Sequence, residues 1–292
     1  MAQVLLIALL TLTGLSGLTQ EWEQIKKDDR YIWGEGWGKS VEEADRQALA
    51  SLSSKISIVV SGNFRQIEEQ VDTPSGSNYI SVKSNRIAMT SNATLSNTNR
   101  IVLETGKKSH VGRWISRSEL DTVFSIRKER VLEFEEYASI AEMDGRIGDA
   151  LKYHFWAYVL LRTLQHPSEL RDESGRMLLN AIPARMNGIL DELTVSADKK
   201  GCSLILAFSY RGQQVQDLSF RYFDGSRWSG HCGVFKGYAQ VEMAPGALAE
   251  VIQIRIEYEY KGDAMMDEEL VEILSTSDVK PLKKALKIFR RK

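Results

Sequence analysis

The chain has 292 residues, 43% of them hydrophobic and 26% charged, with 38 basic against 39 acidic side chains. That balance excludes a disordered, collagenous or wholly coiled-coil chain, and a net charge of −1 supplies no overall field to hold a polyanion, so nucleic acid is not an expected partner. Two cysteines and four histidines leave little material for a metal cluster, and the length suits two or three cores better than one.

No charged residue falls within Met1–Gln20, and Val4–Leu18 is one apolar run. The run has the length of a signal-peptide core and is too short to span a bilayer, which predicts a signal peptide over 1–19 cleaved after Ser16 or Thr19. No cysteine follows it to be acylated, so the product is expected to be exported, periplasmic or outer-membrane associated, and not lipid-anchored.

Tyr31-Ile-Trp33 reads as a short strand, Gly34, Gly36 and Gly38 as a loop, and Ser40-Val-Glu-Glu43 as a capping box that opens a helix. Ala44, Ala48, Leu49, Leu52 and Ile56 recur at helical spacing, which carries the helix to about residue 55; the alanines allow close docking on a sheet. The β-branched run Ile56–Val60 is expected to return as a strand of that sheet. Strand, glycines and Lys39-Ser40 invite a phosphate-loop reading, but Trp33 stands where the first glycine of that loop belongs, and Lys39 where a dinucleotide motif needs its third. The intermixed polar and apolar residues of 78–105 predict moderately exposed antiparallel strands, preceded by a turn at Thr73-Pro-Ser-Gly76; Trp114–Phe124 adds another strand. Asn92-Ala-Thr94 matches a glycosylation sequon.

The stretch Trp22–Arg30, then Tyr31-Ile-Trp-Gly-Glu-Gly-Trp-Gly38 and Val41-Glu-Glu-Ala-Asp-Arg-Gln-Ala-Leu-Ala50, resembles the opening of the LPP-twenty lipoprotein family. The resemblance covers about residues 20–127. It implies a small α+β module, a helix on an antiparallel sheet, of the kind used without known catalysis by envelope proteins of Gram-negative bacteria. The missing lipobox cysteine departs from the family's lipoprotein members.

Beyond residue 127 the period changes. Val131, Phe134, Ala138 and Ala141 mark one helix, Gly145 breaks it, and Ile147, Ala150, Leu151, His154, Tyr158 and Leu161 mark a second; a third is expected over Ser174–Leu190, bent near Pro183. The run Asp149–Ala157 resembles one tetratricopeptide hairpin, which implies peptide binding, but no second copy follows at the repeat spacing and a spacer role is expected for 128–193. His154 is then a packed helix residue.

From 194 to 262 the pattern alternates at period two. Leu204, Leu206, Phe208 and Tyr210 share one face, Arg211-Gly212 turns, Leu218, Phe220 and Tyr222 share the next, Asp224-Gly225 turns again, and Ile252–Tyr260 alternates throughout. A small immunoglobulin-like β-sandwich is expected. Cys202 and Cys232 lie within it, as a disulfide or as two separate thiols. The tail 263–292 ends in Lys280–Lys292, whose seven basic residues are interleaved with Leu282, Leu286, Ile288 and Phe289; it reads as a solvated basic helix, the one place where membrane contact is expected.

No nucleophile elbow, zinc-binding helix, kinase motif or metal-spaced Cys/His set occurs. Catalytic residues, a cofactor and a metal are therefore not expected. The fold class read from these patterns is α+β multidomain: an N-terminal helix-on-antiparallel-sheet module, a middle helical hairpin region and a C-terminal small β-sandwich. The function read from them is a non-enzymatic exported envelope scaffold or adaptor that contacts other envelope proteins or cell-wall glycan. Trp37 and Trp228, each beside a glycine turn, are the candidate ligand contacts of an alternative glycan- or peptide-binding module; a hydrolase built on an acidic pair is the other alternative.

Overall fold

The computed structural model describes residues 17–62, 98–200, 203–243, 251–277, 279–282 and 286–290. The chain is α+β, helices with antiparallel sheet, and divides into two compact units, the first mainly of residues up to Arg127 and the second mainly of Lys128–Arg162 and Pro167–Leu274. No helix among the described residues is long and apolar enough to cross a membrane. The strands expected over Ile80–Leu95, the turn at 73–76 and the sequon at Asn92 lie outside the described residues.

In the first unit, residues 17–27 form helix α1. The described part of the segment expected to end at Thr19 is thus continuous with the helix that carries Trp22. Strand β1 is Tyr31–Gly38, helix α2 is Val41–Gly62, and strands β2 (Asn99–Glu104) and β3 (Ser109–Ser116) complete a three-stranded antiparallel sheet in the order β1-β3-β2. Two expectations change here. Gly34, Gly36 and Gly38 stand within β1 and not in a loop, and none of them has positive φ. Ile56–Val60 continues α2, because Leu52 and Ile56 extend the buried stripe begun by Ala44 and Ala48 and the Ser57 hydroxyl bonds back to the Ser53 carbonyl.

Alternation along β1 separates its two faces. Even residues face α2: a Cβ added at Gly34 would lie 2.3 Å from the Leu52 nitrogen, and one at Gly36 would lie 2.1 Å from the Ala44 carbonyl oxygen. Odd residues face α1, where buried Trp22 and Ile25 pack with Ile101 and Leu103 and touch Tyr31, Trp33 and Trp114. Gly112 of β3 makes room for the Trp22 ring, 2.8 Å from where its Cβ would be. Burying an indole removes about 200 Å² from water, an upper bound of ~5 kcal/mol at roughly 25 cal/mol/Å². The sheet therefore carries a helix on each face, where one was expected. Arg113 clamps α2 to β3 through two bonds to Asp45, 2.7 and 2.8 Å.

Helix α3, Arg117–Met143, starts where a strand was expected to run on to Phe124. The reason is a second capping box: the Ser116 hydroxyl accepts the Glu119 N–H at 3.1 Å and the Glu119 carboxylate accepts the Ser116 N–H at 2.9 Å.

In the second unit, α3 continues from Lys128, Gly145 (φ +72°) turns the chain, and α4 follows over Ile147–Leu161. α4 is buried on nearly every side, from Ile147 and Leu151 to Phe155, Trp156 and Leu160, which makes it the central helix of the unit. Helix α5 runs Leu178–Glu192, later than expected, because Asp172 first folds 172–176 into a turn whose Ser174 and Arg176 N–H groups its Oδ1 accepts. Pro183 sits inside α5.

The remaining strands are β4 (Leu193–Lys200), β5 (Ser203–Tyr210), β6 (Gln213–Gln214), β7 (Asp217–Tyr222), β8 (Cys232–Phe235), β9 (Tyr238–Glu242), β10 (Val251–Ile256) and β11 (Leu286–Arg290). They join as one curled antiparallel sheet in the order β11-β10-β7-β8-β9-β5-β4, with β6 on β5, so a single unbroken hydrogen-bond path stands where two facing sheets were expected. The faces follow the predicted alternation: Leu204, Leu206, Phe208, Tyr210, Leu218, Phe220, Tyr222, Ile252, Ile254 and Ile256 are buried. Arg211-Gly212 and Lys236-Gly237 form two-residue hairpin turns with positive φ at both positions, matching the twist of the strands they join. β10 stops at Ile256, short of the expected Tyr260, because the Glu257 carboxylate turns back and accepts the N–H groups of Tyr258, Glu259 and Tyr260. The basic end is likewise no helix where described. Helix α6 occupies Glu268–Thr276, and Leu286–Arg290 pairs with β10 as an edge strand.

The glycine track yields a paired test. Gly36→Ala drives a methyl into the α2 backbone and is expected to cost about 1–3 kcal/mol or more, whereas Gly188→Ala, in α5 with nothing within 4 Å of its Cβ, is expected to stabilise by ~0.5–1 kcal/mol. Urea unfolding midpoints measure both.

Candidate functional site

The most exposed tryptophan is Trp37. It ends β1 on the α1 face, directly across from His110 of β3, with 53% of its surface exposed. The two rings stack at a centroid distance of 4.6 Å and an interplanar angle of 12°. One register step inward, Glu35 lies opposite Gly112, and its Oε1 accepts the Trp22 indole N–H at 2.6 Å and faces the Lys26 ammonium at 3.1 Å and His110 Nε2 at 3.9 Å. Burial pushes the Glu35 carboxyl up, but the bonds from Trp22 and Lys26 and the Lys26 charge outweigh it and hold the group below the ordinary carboxylate value. The Lys55 ammonium, from α2, lies 3.2 Å from the centroid of Trp33. The arrangement is a flat aromatic ledge, Trp37 on His110, backed by an ionised carboxylate whose bonds are committed inward. Such a ledge binds by stacking against the apolar face of a sugar ring or a peptide side chain.

Trp228, the second candidate, lies in the other unit and is half-buried. Its ring is edge-on to Phe223 at 5.8 Å and covered by the Arg255 guanidinium at 4.6 Å. The turn before it is closed by Asp224, whose Oδ1 accepts the Ser226 and Arg227 N–H groups at 2.7 and 2.8 Å. Both flanks of the ring are in use, which favours Trp37 as the contact residue. Trp156 and Tyr222 are buried. Cys232 is half-buried and unbridged among the described residues, and its candidate partner Cys202 lies outside them.

The second unit brings together acidic groups that the sequence does not place in proximity. Helix α4 has no side-chain cap of its own; instead Asp217, at the start of β7, accepts the Asp149 N–H at 3.1 Å, the bond a helix N-cap makes. Asp149 is held by Arg146 at 2.6 Å and Lys152 at 2.7 Å. Burial first, then the neighbouring Asp149 charge, raises the Asp217 carboxyl; burial also opposes ionisation of Asp149, but Lys152 and Arg146 outweigh it and lower that group. Gly148 fits here because a Cβ would lie 2.6 Å from both Asp217 Oδ2 and the Tyr260 hydroxyl. These carboxylates are engaged in joining α4 to the sheet. A second hydrogen-bonded line runs from His154, fully buried, through Nδ1 to Glu135 at 2.7 Å, from Glu135 to Arg185 at 2.6 Å, and from Arg185 to Asp172 at 3.0 Å. Among the described residues no three His, Cys, Asp or Glu side chains are grouped to hold a metal ion.

Sequence reading placed Trp37 beside its glycines and missed His110, its stacking partner, because the register that opposes them is a property of the sheet. No family model, curated protein or solved structure matches the chain.

Asp172 gives a pH test. Bonds from Ser174 and Arg176, against some burial, lower its carboxyl from 3.8 to about 2. Its folded value lies below its unfolded one, so its contribution to stability is complete above 3.8 and is lost as pH falls through about 2. The stability gap between wild type and Asp172→Asn is expected to be widest near neutral pH and to close toward pH 2, read from urea midpoints across that range.

Proposed function

We propose that this protein is a non-enzymatic exported scaffold or adaptor of a Gram-negative cell envelope, and that its N-terminal module contacts envelope protein or cell-wall glycan through the Trp37–His110 ledge. One observation carries the reading: a tryptophan left 53% exposed at a strand end, yet fixed by stacking at 4.6 Å on a cross-strand histidine. A solvent-facing indole that costs little further ordering suits recognition, since binding loses less entropy when the contact residue is already in place. The charge-free apolar run before residue 20 and the resemblance of residues 20–127 to LPP-twenty proteins support the envelope setting. The close acidic pair of the second unit, Asp149 and Asp217, is already committed to Arg146, Lys152 and the α4 backbone, which supports a scaffold over a hydrolase.

The test is cosedimentation of the full chain with purified cell-wall glycan, alongside calorimetry against solubilised envelope proteins. Saturable binding to one of these that falls at least ~10-fold in Trp37→Ala, with Trp228→Ala close to wild type, is expected, since truncating a contact tryptophan costs more than about 1 kcal/mol. Binding to neither, or binding indifferent to Trp37→Ala, overturns the proposal.

A further inference from the structure

The outward face of α3 in the second unit has a composition that its own fold does not explain. Leu132 (45% exposed), Ile140 (41%) and Met143 (73%) are large apolar side chains facing solvent. At 100° per residue they share an arc of about 100° with Glu129, Glu133 and Glu136, all exposed. Leu132, Glu136 and Ile140 form an i, i+4 ridge, and Met143 continues it at i+3. Tyr137, 41% exposed, borders the ridge.

The charge within that arc has one sign. None of the three glutamates makes an ion pair with a basic side chain among the described residues. The nearby basic residues lie outside the arc: Arg130 is drawn aside to Asp267 and Glu269, and Lys128 lies about 40° beyond Leu132, on the edge away from Glu133. Solvated helix faces ordinarily mix both signs at i, i+4 spacing, because such pairs stabilise the helix and like charges at that spacing oppose it. Here Glu129 and Glu133 stand at that unfavourable spacing beside exposed leucine, isoleucine and methionine.

From this juxtaposition we infer that the α3 face from Glu129 to Met143 is a docking surface for a basic amphipathic helix of a partner protein. The occupant follows from complementarity. A helix with an aliphatic seam packs its ridge against Leu132, Ile140 and Met143, and lysine or arginine on its flanks meets Glu129, Glu133 and Glu136, the division of labour between seam and flanking charges in paired helices. Methionine at the end of the seam accommodates partner side chains of differing shape. This surface is independent of the Trp37 ledge.

The probe is a fluorescent synthetic helix of about three heptads, leucine along the seam and lysine on both flanks, titrated into the full chain and followed by anisotropy. Saturable binding that weakens as salt rises is expected, as is a loss of affinity of at least ~10-fold in Leu132→Ser/Ile140→Ser and, separately, in Glu133→Lys/Glu136→Lys. Trp37→Ala is expected to bind the probe as wild type does, which keeps a failure of the ledge apart from a failure of this face. Circular dichroism establishes that both surface variants keep their helix content. Three results overturn the inference: no saturable binding, equal binding of a scrambled peptide of the same composition that lacks the seam, or unchanged affinity in the seam variant.

Discussion

The first unit depends on backbone touching backbone. β1 can lie against α2 only because every second residue over the contact is glycine, and α2 answers with Ala44 and Ala48 at the matching turns. That contact has no slack: added Cβ atoms would sit 2.1–2.7 Å from helix atoms at Gly34, Gly36 and Gly38. It also determines what the other face must do. With no side chains beyond Ile32 on one side of β1, its bulk lies on the other, where Trp33, Glu35 and Trp37 project toward α1, and the Trp22 indole fills the space over Gly112. The ledge that carries the proposed function is therefore a by-product of the glycine track. Alternation sends Trp37 to the α1 face, where its ring stays 53% exposed.

The second unit repeats the principle once and adds charge. Gly148 lets the start of α4 approach β7 closely, so that Asp217 supplies from a distant strand the cap that the helix sequence lacks. Buried charge of this kind is weak evidence for stability, because desolvation offsets most of the attraction, but removing one partner leaves an uncompensated charge and is costly. The His154–Glu135–Arg185–Asp172 line follows the same logic. Each member is tolerable only while its neighbour is present, so the line ties α3, α4, α5 and the 172–176 turn to a single arrangement more than it deepens the energy of any one contact.

How much of this could be read beforehand divides along the range of the interaction. Local periodicity placed α2, α4 and the alternating faces of β5, β7 and β10, and the Ser40 cap and the Arg211-Gly212 turn stood in the chain as short patterns with a mechanism. The Ser116-Arg-Ser-Glu119 box was equally local and would have moved the start of α3 to Arg117. The glycines of β1 read as a loop and not as strand, since nothing local distinguishes a glycine that turns the chain from one that vacates a face. The Asp217 cap, the His110 stack and the addition of β11 to β10 join residues from 31 to 73 positions apart, and no period announces them. Ile56–Val60 shows the opposite failure. β-branched composition argued for strand, and an established buried stripe on α2 outweighed it.

The two surfaces proposed for contact differ in how they would bind, and the difference follows from their construction. Trp37 is presented by paired strands and stacked on a second ring, so its geometry is set before a ligand arrives, and its contribution rests on one well-placed plane. The α3 face is a convex ridge of flexible side chains, Leu132, Ile140 and Met143, whose rotamers must be fixed on docking at a cost of about 0.5–1.5 kcal/mol for each rotamer-rich side chain. The exposed glutamates between them would raise the rate of encounter more than the final affinity. A scaffold with one pre-set and one adaptable surface would hold its first partner through shape and recruit its second through charge, which makes only the second contact strongly sensitive to ionic strength.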